Sequence, residues 1–412
     1  MENYTVVLLI LAIMIGLSAV ADKFKFPYPI ALIIAGVAVG FAPSLPDMEI
    51  NPEIIFLLFL PPLLYDAAFN ISFTDFKTHI NTIGALAISL VFFTTVGIAV
   101  VAHYLIEGMS WPLSFVLGAI LSATDAVAAM GITKGLGLSH KTTVILEGES
   151  LINDASALVA YRFAVAAVIG SAFVFWDAAL QFVILLGGGF LVGFILSRLS
   201  MVLMFMKGNH IAIISFLLLF PFIVYLTAEH FHVSGVIAVV TFGFGISFMS
   251  SSFFPENLKN QSKGIWDIII FILNGLIFIL IGMQFPYVLK NIPDDKVVTY
   301  VIYSLLITVV ALLIRMLRVY MQKINLQKAF DGKRKVKEEA LLDSRNSFII
   351  SWSGMRGIVS LAIAIGLPTH VSDGSPFPMR NEIIFMSVCV TLFTLLGQGL
   401  TLPIIVRKLL PR

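Results

Sequence analysis

The run Gly148-Glu149-Ser150-Leu151-Ile152-Asn153-Asp154 lies inside an apolar stretch from about Thr142 to Gly170, so two carboxylates fall where water is scarce. An ionised side chain near the centre of a bilayer costs on the order of 2.5–3.5 kcal/mol even on insertion-based scales, so such a residue lines a cavity, takes a partner or handles an ion or proton. At helical spacing Ser150 and Asp154 share one face, and Glu149 and Asn153 share the adjacent one. The result is a narrow set of oxygen ligands facing one way. Hard cations prefer oxygen, and a carboxylate that holds either a cation or a proton is the smallest device for exchanging the two.

Two further apolar segments are interrupted by polar residues. Ser122-Ala123-Thr124-Asp125 sits between Leu117-Gly118-Ala119-Ile120 and Ala126-Val127-Ala128-Ala129, and Ser351-Trp352-Ser353-Gly354-Met355-Arg356-Gly357 places two glycines around an arginine. Each alone also reads as a kink or a close-packing glycine. Together with the charges they predict two unwound helices lining a midplane site, because open backbone is tolerated at that depth only in a cavity or inside protein. Asp125 reads either as a direct ligand or as a residue organising its helix break through backbone hydrogen bonds.

The elements that must hold these residues follow from composition. With 412 residues, 59% hydrophobic, 12% charged and a mean hydropathy of +0.99, the chain has more apolar surface than soluble cores could hide. About thirteen apolar segments are expected, near 5–21, 29–43, 53–70, 81–105, 112–133, 142–169, 177–206, 209–228, 233–250, 265–287, 297–322, 346–367 and 381–406. The fold class is all-α and polytopic. Met1-Glu2-Asn3-Tyr4 lacks the basic region of a signal peptide, so the first segment is expected to stay as a helix. Cys389 is the single cysteine, which excludes an intramolecular disulfide.

With an external N-terminus, 21 of the 26 Lys and Arg fall on the cytoplasmic side: Lys23, Lys25, Lys77, Lys134, Lys141, Arg198, Lys207, Lys259, Lys263, the 315–345 stretch, Arg407, Lys408 and Arg412. The positive-inside rule then gives an outer N-terminus, a cytoplasmic C-terminus and an odd helix number, in a cell-membrane protein. Asp47, Glu49, Glu107, Asp177, Asp294 and Asp295 fall outside. The loop Lys323 to Arg345, with Lys333-Arg334-Lys335-Val336-Lys337-Glu338-Glu339, reads as a solvated linker held near anionic headgroups or as a regulatory site. No soluble domain is expected after the last helix. A nucleotide-driven pump is disfavoured, since no G-x-x-x-x-G-K-[ST] occurs.

Other residues have ordinary readings. Arg162 reads as a snorkelling or paired residue, and His230 and His232 as a solvated loop. Gly36-x-x-x-Gly40, Gly187-Gly188-Gly189 and Gly193 suit close helix packing, and the first of them is a candidate dimer contact.

The whole chain resembles the monovalent cation/proton antiporters, in the branch of bacterial NhaP-type proteins and animal sodium/proton exchangers. The residues that carry the resemblance are Phe59-Leu60-Pro61-Pro62-Leu63-Leu64-Tyr65-Asp66-Ala67-Ala68, Ala123-Thr124-Asp125-Ala126-Val127-Ala128, Glu147-Gly148-Glu149-Ser150-Leu151-Ile152-Asn153-Asp154 and Gly354-Met355-Arg356-Gly357. It implies thirteen helices in inverted repeats with two crossed broken helices. A core (about 81–170 and 297–406) would move against a dimerisation part (about 1–80 and 177–290) in a homodimer embedded in lipid. By resemblance Asp154 is the carboxylate that binds cation or proton, Ser150, the Thr124 backbone and Asp66 add oxygen ligands to a bound Na⁺, Li⁺ or K⁺, and Asn153 marks electroneutral exchange. Glu149 and Arg356 resemble a buried ion pair. Ala126 and Met355 depart from residues common in relatives. No cofactor, nucleotide or nucleic acid is implied, and the protein is expected not to be an enzyme.

A K⁺-selective antiporter of the same fold and a cation channel are the alternatives. Tyr65-Asp66 also invites comparison with intramembrane aspartyl proteases. Neither Gly135-Leu136-Gly137-Leu138 nor Gly243-Phe244-Gly245-Ile246 supplies the second aspartate that such an enzyme needs.

Overall fold

Hydropathy this high leaves backbone polar groups no solvent but each other, and the chain answers with helices throughout. The computed structural model describes residues 3–24, 26–42, 57–133, 136–170, 175–205, 209–332 and 338–410. Expectations placed on Lys25, Asp47, Glu49, Lys134, Lys207, Arg412, Lys333-Arg334-Lys335-Val336-Lys337 and the start of the third segment near residue 53 lie outside the described residues.

In chain order the helices are α1 (Asn3–Lys23), α2 (Tyr28–Gly40), α3 (Leu60–Asn70), α4 (Phe73–Leu105), α5 (Trp111–Ile120), α6 (Ala126–Thr133), α7 (His140–Val168), α8 (Phe175–Phe205), α9 (His210–His230), α10 (Gly235–Phe253), α11 (Glu256–Leu289), α12 (Asp294–Asp331), α13 (Ser344–Trp352), α14 (Ile358–Ile365) and α15 (Arg380–Leu409). Counting α5 with α6 and α13 with α14 as two broken helices, the fifteen helices among the described residues correspond to the thirteen expected segments. Seven of them are long and apolar enough to cross a membrane alone.

Several begin or end where local chemistry directs. Pro61 and Pro62 open α3, where a missing N–H costs nothing. The Ser139 hydroxyl accepts from the Thr142 N–H to cap α7, and the Asp343 carboxylate accepts from Asn346 to cap α13. α4 starts earlier than hydropathy suggests, because Phe73–Gly84 carries Asp75, Lys77 and Asn81 on a helix that continues unbroken into the apolar part. α12 likewise runs to Asp331, so the long loop is shorter than expected, and a 3₁₀ turn spans Glu338–Ala340. Wide π turns interrupt α4 at Ala85–Leu90 and α15 at Thr394–Gln398.

The chain divides into two compact units, Met1–Ile50 with Asn81–Ser171 and Asn274–Arg412, and Asn51–Ile80 with Ala172–Leu273. In the first, α2 crosses α11 where Gly36 meets the backbone of Ile279 and Gly282, so the Gly36-x-x-x-Gly40 face packs within the chain. In the second unit the Tyr65 ring packs on Phe69, Phe242 and Trp266, with centroids 5.7, 5.9 and 4.9 Å away.

Candidate functional site

α7 presents Glu149, Asn153 and Asp154 to the interior of the first unit, at 1%, 1% and 6% exposure. Opposite them the first broken helix unwinds between α5 and α6. The unwinding has a local cause: the Ser122 hydroxyl bonds back to the Ala119 carbonyl (2.7 Å), competing with the helical ladder. In the second broken helix the Ser353 hydroxyl does the same to Ile349 (2.7 Å), and Gly354 and Gly357 follow.

The two breaks cross. The Asp125 N–H donates to the Met355 carbonyl at 2.8 Å. The Asp125 carboxylate accepts from the N–H of Val127 (2.8 Å) and of Ala128 (3.4 Å), and also from the N–H of Ile358. One carboxylate therefore covers the positive N-terminal ends of both α6 and α14, each worth about half an elementary charge. Arg356 does the converse. Its Nε donates to the Leu121 carbonyl (3.0 Å) and its Nη1 to the Gly354 carbonyl (2.7 Å), the open C-terminal ends of α5 and α13. Its own N–H donates to the Thr394 hydroxyl of α15 at 3.0 Å. Both glycines of the motif are required by close approach: a Cβ on Gly357 would strike the Asp125 carboxylate, and one on Gly354 would strike the Arg315 side chain.

The partner of Glu149 is Arg315. Its Nη1 and Nη2 lie 2.5 and 2.8 Å from the two Glu149 carboxylate oxygens, a bidentate pair with both side chains 2% exposed. Arg315 Nε donates to the Ile350 carbonyl at 3.1 Å, which ties α12, α7 and α13 together. This corrects the expectation that Glu149 pairs with Arg356. In the sequence Arg315 stands near the end of an apolar segment followed by a basic stretch, which places it with the cytoplasmic charges. The continuation of α12 to Asp331 leaves it inside.

Thr124 is held from three sides. Its hydroxyl donates to Glu149 (3.0 Å) and accepts from Asn153 Nδ2 (2.6 Å), and its carbonyl accepts from Ser150 Oγ (3.2 Å) and Asn153 Nδ2 (3.3 Å). Ser150 Oγ in turn accepts from the Ala126 N–H (3.4 Å), a bond that a proline at this position lacks the donor to make. Asn153 Oδ1 is buried and has no hydrogen-bond partner. Among the described residues, no hydrogen bond or ion pair reaches the Asp154 carboxylate either. Two oxygen groups of adjacent residues on α7, the Asn153 amide oxygen and the Asp154 carboxyl, are thus left with lone pairs unspent.

Asp66 belongs to the second unit, on α3, where Asn70 Nδ2 donates to it at 3.0 Å and the charges of Asp267 and Lys263 act on it.

The sodium/hydrogen exchanger transmembrane family matches residues 8–408 of the chain. The sodium, potassium, lithium and rubidium/H⁺ antiporter of Bacillus pumilus is 36% identical over 99% of this chain, which spans 62% of that relative's length. The Na⁺/H⁺ antiporter NhaH of Halobacillus aidingensis is 30% identical over 98% of the chain and 97% of its own length. The structure of the sodium proton antiporter MjNhaP1 from Methanocaldococcus jannaschii superposes with a TM-score of 0.74 at 19% identity, covering 98% of this chain and 97% of that one, and shows the same fold. The chain is a multi-pass membrane protein and belongs to the sodium/hydrogen exchanger family.

Proposed function

We propose that the protein exchanges monovalent cations for protons across the membrane, one for one, by alternating access. The observation that carries this reading is the Asp154 carboxylate, buried without a protein donor or counter-charge among the described residues, one residue along α7 from Asn153, whose side-chain oxygen is also unpartnered. A carboxylate in that position is costly unless a cation or proton neutralises it. Competition between the two for one site couples their movements without a nucleotide, a cofactor or enzymatic chemistry.

In this reading Asp154 holds the ion, Asn153 Oδ1 and Ser150 Oγ add oxygen ligands, and Thr124 contributes after exchanging one of the two hydrogen bonds that fill its carbonyl. Glu149 and Arg315 cancel each other, and Asp125 and Arg356 are absorbed by helix ends. Asp154 is then the one carboxylate free to alternate between cation and proton, which supports electroneutral exchange. The core comprises about 81–170 and 297–406, and the remainder carries the homodimer contact and most of the lipid contact. The basic residues favour an outer N-terminus and a cytoplasmic C-terminus.

The Bacillus pumilus relative is named for four alkali cations, so K⁺ belongs in the test beside Na⁺ and Li⁺. Purified protein in vesicles holding a pH dye should dequench it on addition of Na⁺, Li⁺ or K⁺ above a set pH. Saturable cation flux that leaves the proton gradient untouched would replace exchange with a channel.

A further inference from the structure

The π turn in α15 leaves a second set of buried polar atoms without partners, distinct from those facing Asp154. Gln398 is 5% exposed, and neither its Oε1 nor its Nε2 has a hydrogen-bond partner; the Thr391 hydroxyl is fully buried and also lacks one. Between them Thr394 accepts from the Arg356 N–H, which fixes this side of α15 against the crossed break. Thr391 stands three residues before Thr394, an offset of about 60° around a helix. Gln398 lies at the far end of the π turn, whose wider winding brings residues four to five apart one above the other. The next residues close the surroundings: Gly399 packs on Ile132 of α6, and Thr401 Oγ1 accepts from Trp352 Nε1 of α13 at 2.9 Å.

The pattern of missing partners identifies the ligand class. Asn153 lacks a partner at its oxygen alone, as a cation site would. Gln398 lacks one at both its acceptor and its donors. A cation there would strand the NH₂ group and an anion would strand the oxygen, whereas water donates and accepts. A buried water makes about two to four hydrogen bonds to groups otherwise left unpaired.

We propose that Gln398 holds a buried water backing the crossed break, with Thr391 nearby along α15 in the same need of a partner, and that Gln398 acts as a positioning residue for it. Water there gives α15 hydrogen bonds that re-form when the break and the Arg356 backbone beside it readjust. The water site stands independently of the exchange reading; its effect on turnover rests on that reading.

The test compares Gln398→Met, Gln398→Asn and Thr391→Val in the full chain. A high-resolution cryo-EM map of the unsubstituted protein should show water density within hydrogen-bonding distance of Gln398 Oε1 and Nε2, and the Gln398→Met map should lack it. Cation-driven proton movement by Gln398→Met should fall by about tenfold in turnover with the cation half-saturation kept, while Gln398→Asn stays within about twofold, because the shorter amide retains both donor and acceptor. Thr391→Val should give an intermediate loss. A dry site overturns the proposal: no density beside Gln398, together with Gln398→Met that melts higher than the unsubstituted protein and turns over normally. Water density with unaltered turnover in all three variants removes the positioning role, while loss of cation-driven flux in the unsubstituted protein rejects the exchange reading and leaves the density test standing.

Discussion

Arg315→Ala should be among the most damaging single substitutions in this chain, and the damage should be reversible from Glu149. The substitution removes both guanidinium bonds to Glu149 and leaves that carboxylate 1% exposed with the Thr124 hydroxyl as its remaining donor. Removing one member of a buried pair costs about 3–5 kcal/mol, most of it the stranded charge rather than the lost attraction. At about 2.1 cal/mol/K of unfolding entropy per residue, a chain of 412 residues converts that into a fall of about 4–6 °C in melting temperature. In detergent the helices persist after tertiary loss, so the unfolding entropy is smaller and the fall larger. Adding Glu149→Gln removes the stranded charge and keeps an acceptor for Thr124, so the double variant should regain more than half of the loss. Thermal melting of purified protein, followed by intrinsic fluorescence and by size exclusion, measures all four corners of the cycle. Arg356→Ala is the control. It opens the carbonyls of Leu121 and Gly354 and leaves Glu149 paired, so Glu149→Gln should not rescue it. Rescue of Arg356→Ala by Glu149→Gln, with none for Arg315→Ala, would refute the pairing described here.

Asp154→Asn keeps the shape of the side chain and removes the titratable group, so cation-driven dequenching of a pH dye in vesicles should vanish while melting temperature stays within a few degrees. Exchange of one cation for one proton moves no net charge, so an imposed membrane potential should leave the Na⁺ half-saturation and rate unaltered; stimulation by voltage would reject the electroneutral reading. Gly357→Ala forces a methyl against the Asp125 carboxylate and should cost about 1–3 kcal/mol by overpacking, with loss of exchange, whereas Gly187→Ala, where nothing lies within 4 Å, should do neither.

The helical plan was legible because each span must satisfy its own backbone in lipid, which leaves a hydropathy signal that neighbours cannot erase. The polar interruptions were legible for the same reason: Thr124-Asp125 and Gly354 to Gly357 are expensive at that depth unless the helix opens. What hydropathy cannot carry is partner choice. Arg315, within Leu312-Leu313-Ile314-Arg315-Met316-Leu317, is as deeply set as Arg356, but Arg318 and the basic loop beyond it made it read as an interfacial residue. With Arg315 assigned to the surface, the partner of Glu149 rested on the family resemblance alone, which points to Arg356. The π turns escaped for a different reason. A single inserted residue shifts the facing of a helix without changing its composition, and neither Ala85–Leu90 nor Thr394–Gln398 contains a residue type that announces it.

The correction changes how the site works. Had Arg356 belonged to Glu149, the C-terminal ends of α5 and α13 would face each other across the break uncompensated, with partial negative charge close to the proposed ion site. That field would attract a cation whether or not Asp154 were ionised, and cation and proton would then compete poorly. With Arg356 on those carbonyls and Asp125 on the opposing N–H groups, the four helix ends are balanced within the break. Glu149 and Arg315 are balanced within the bundle. On the exchange reading, the group left unanswered among the described residues here is Asp154, and protonating it would remove the attraction for a cation. Strict competition, and with it tight coupling, would then follow from having the neighbouring charges of the break and of α7 already answered by protein.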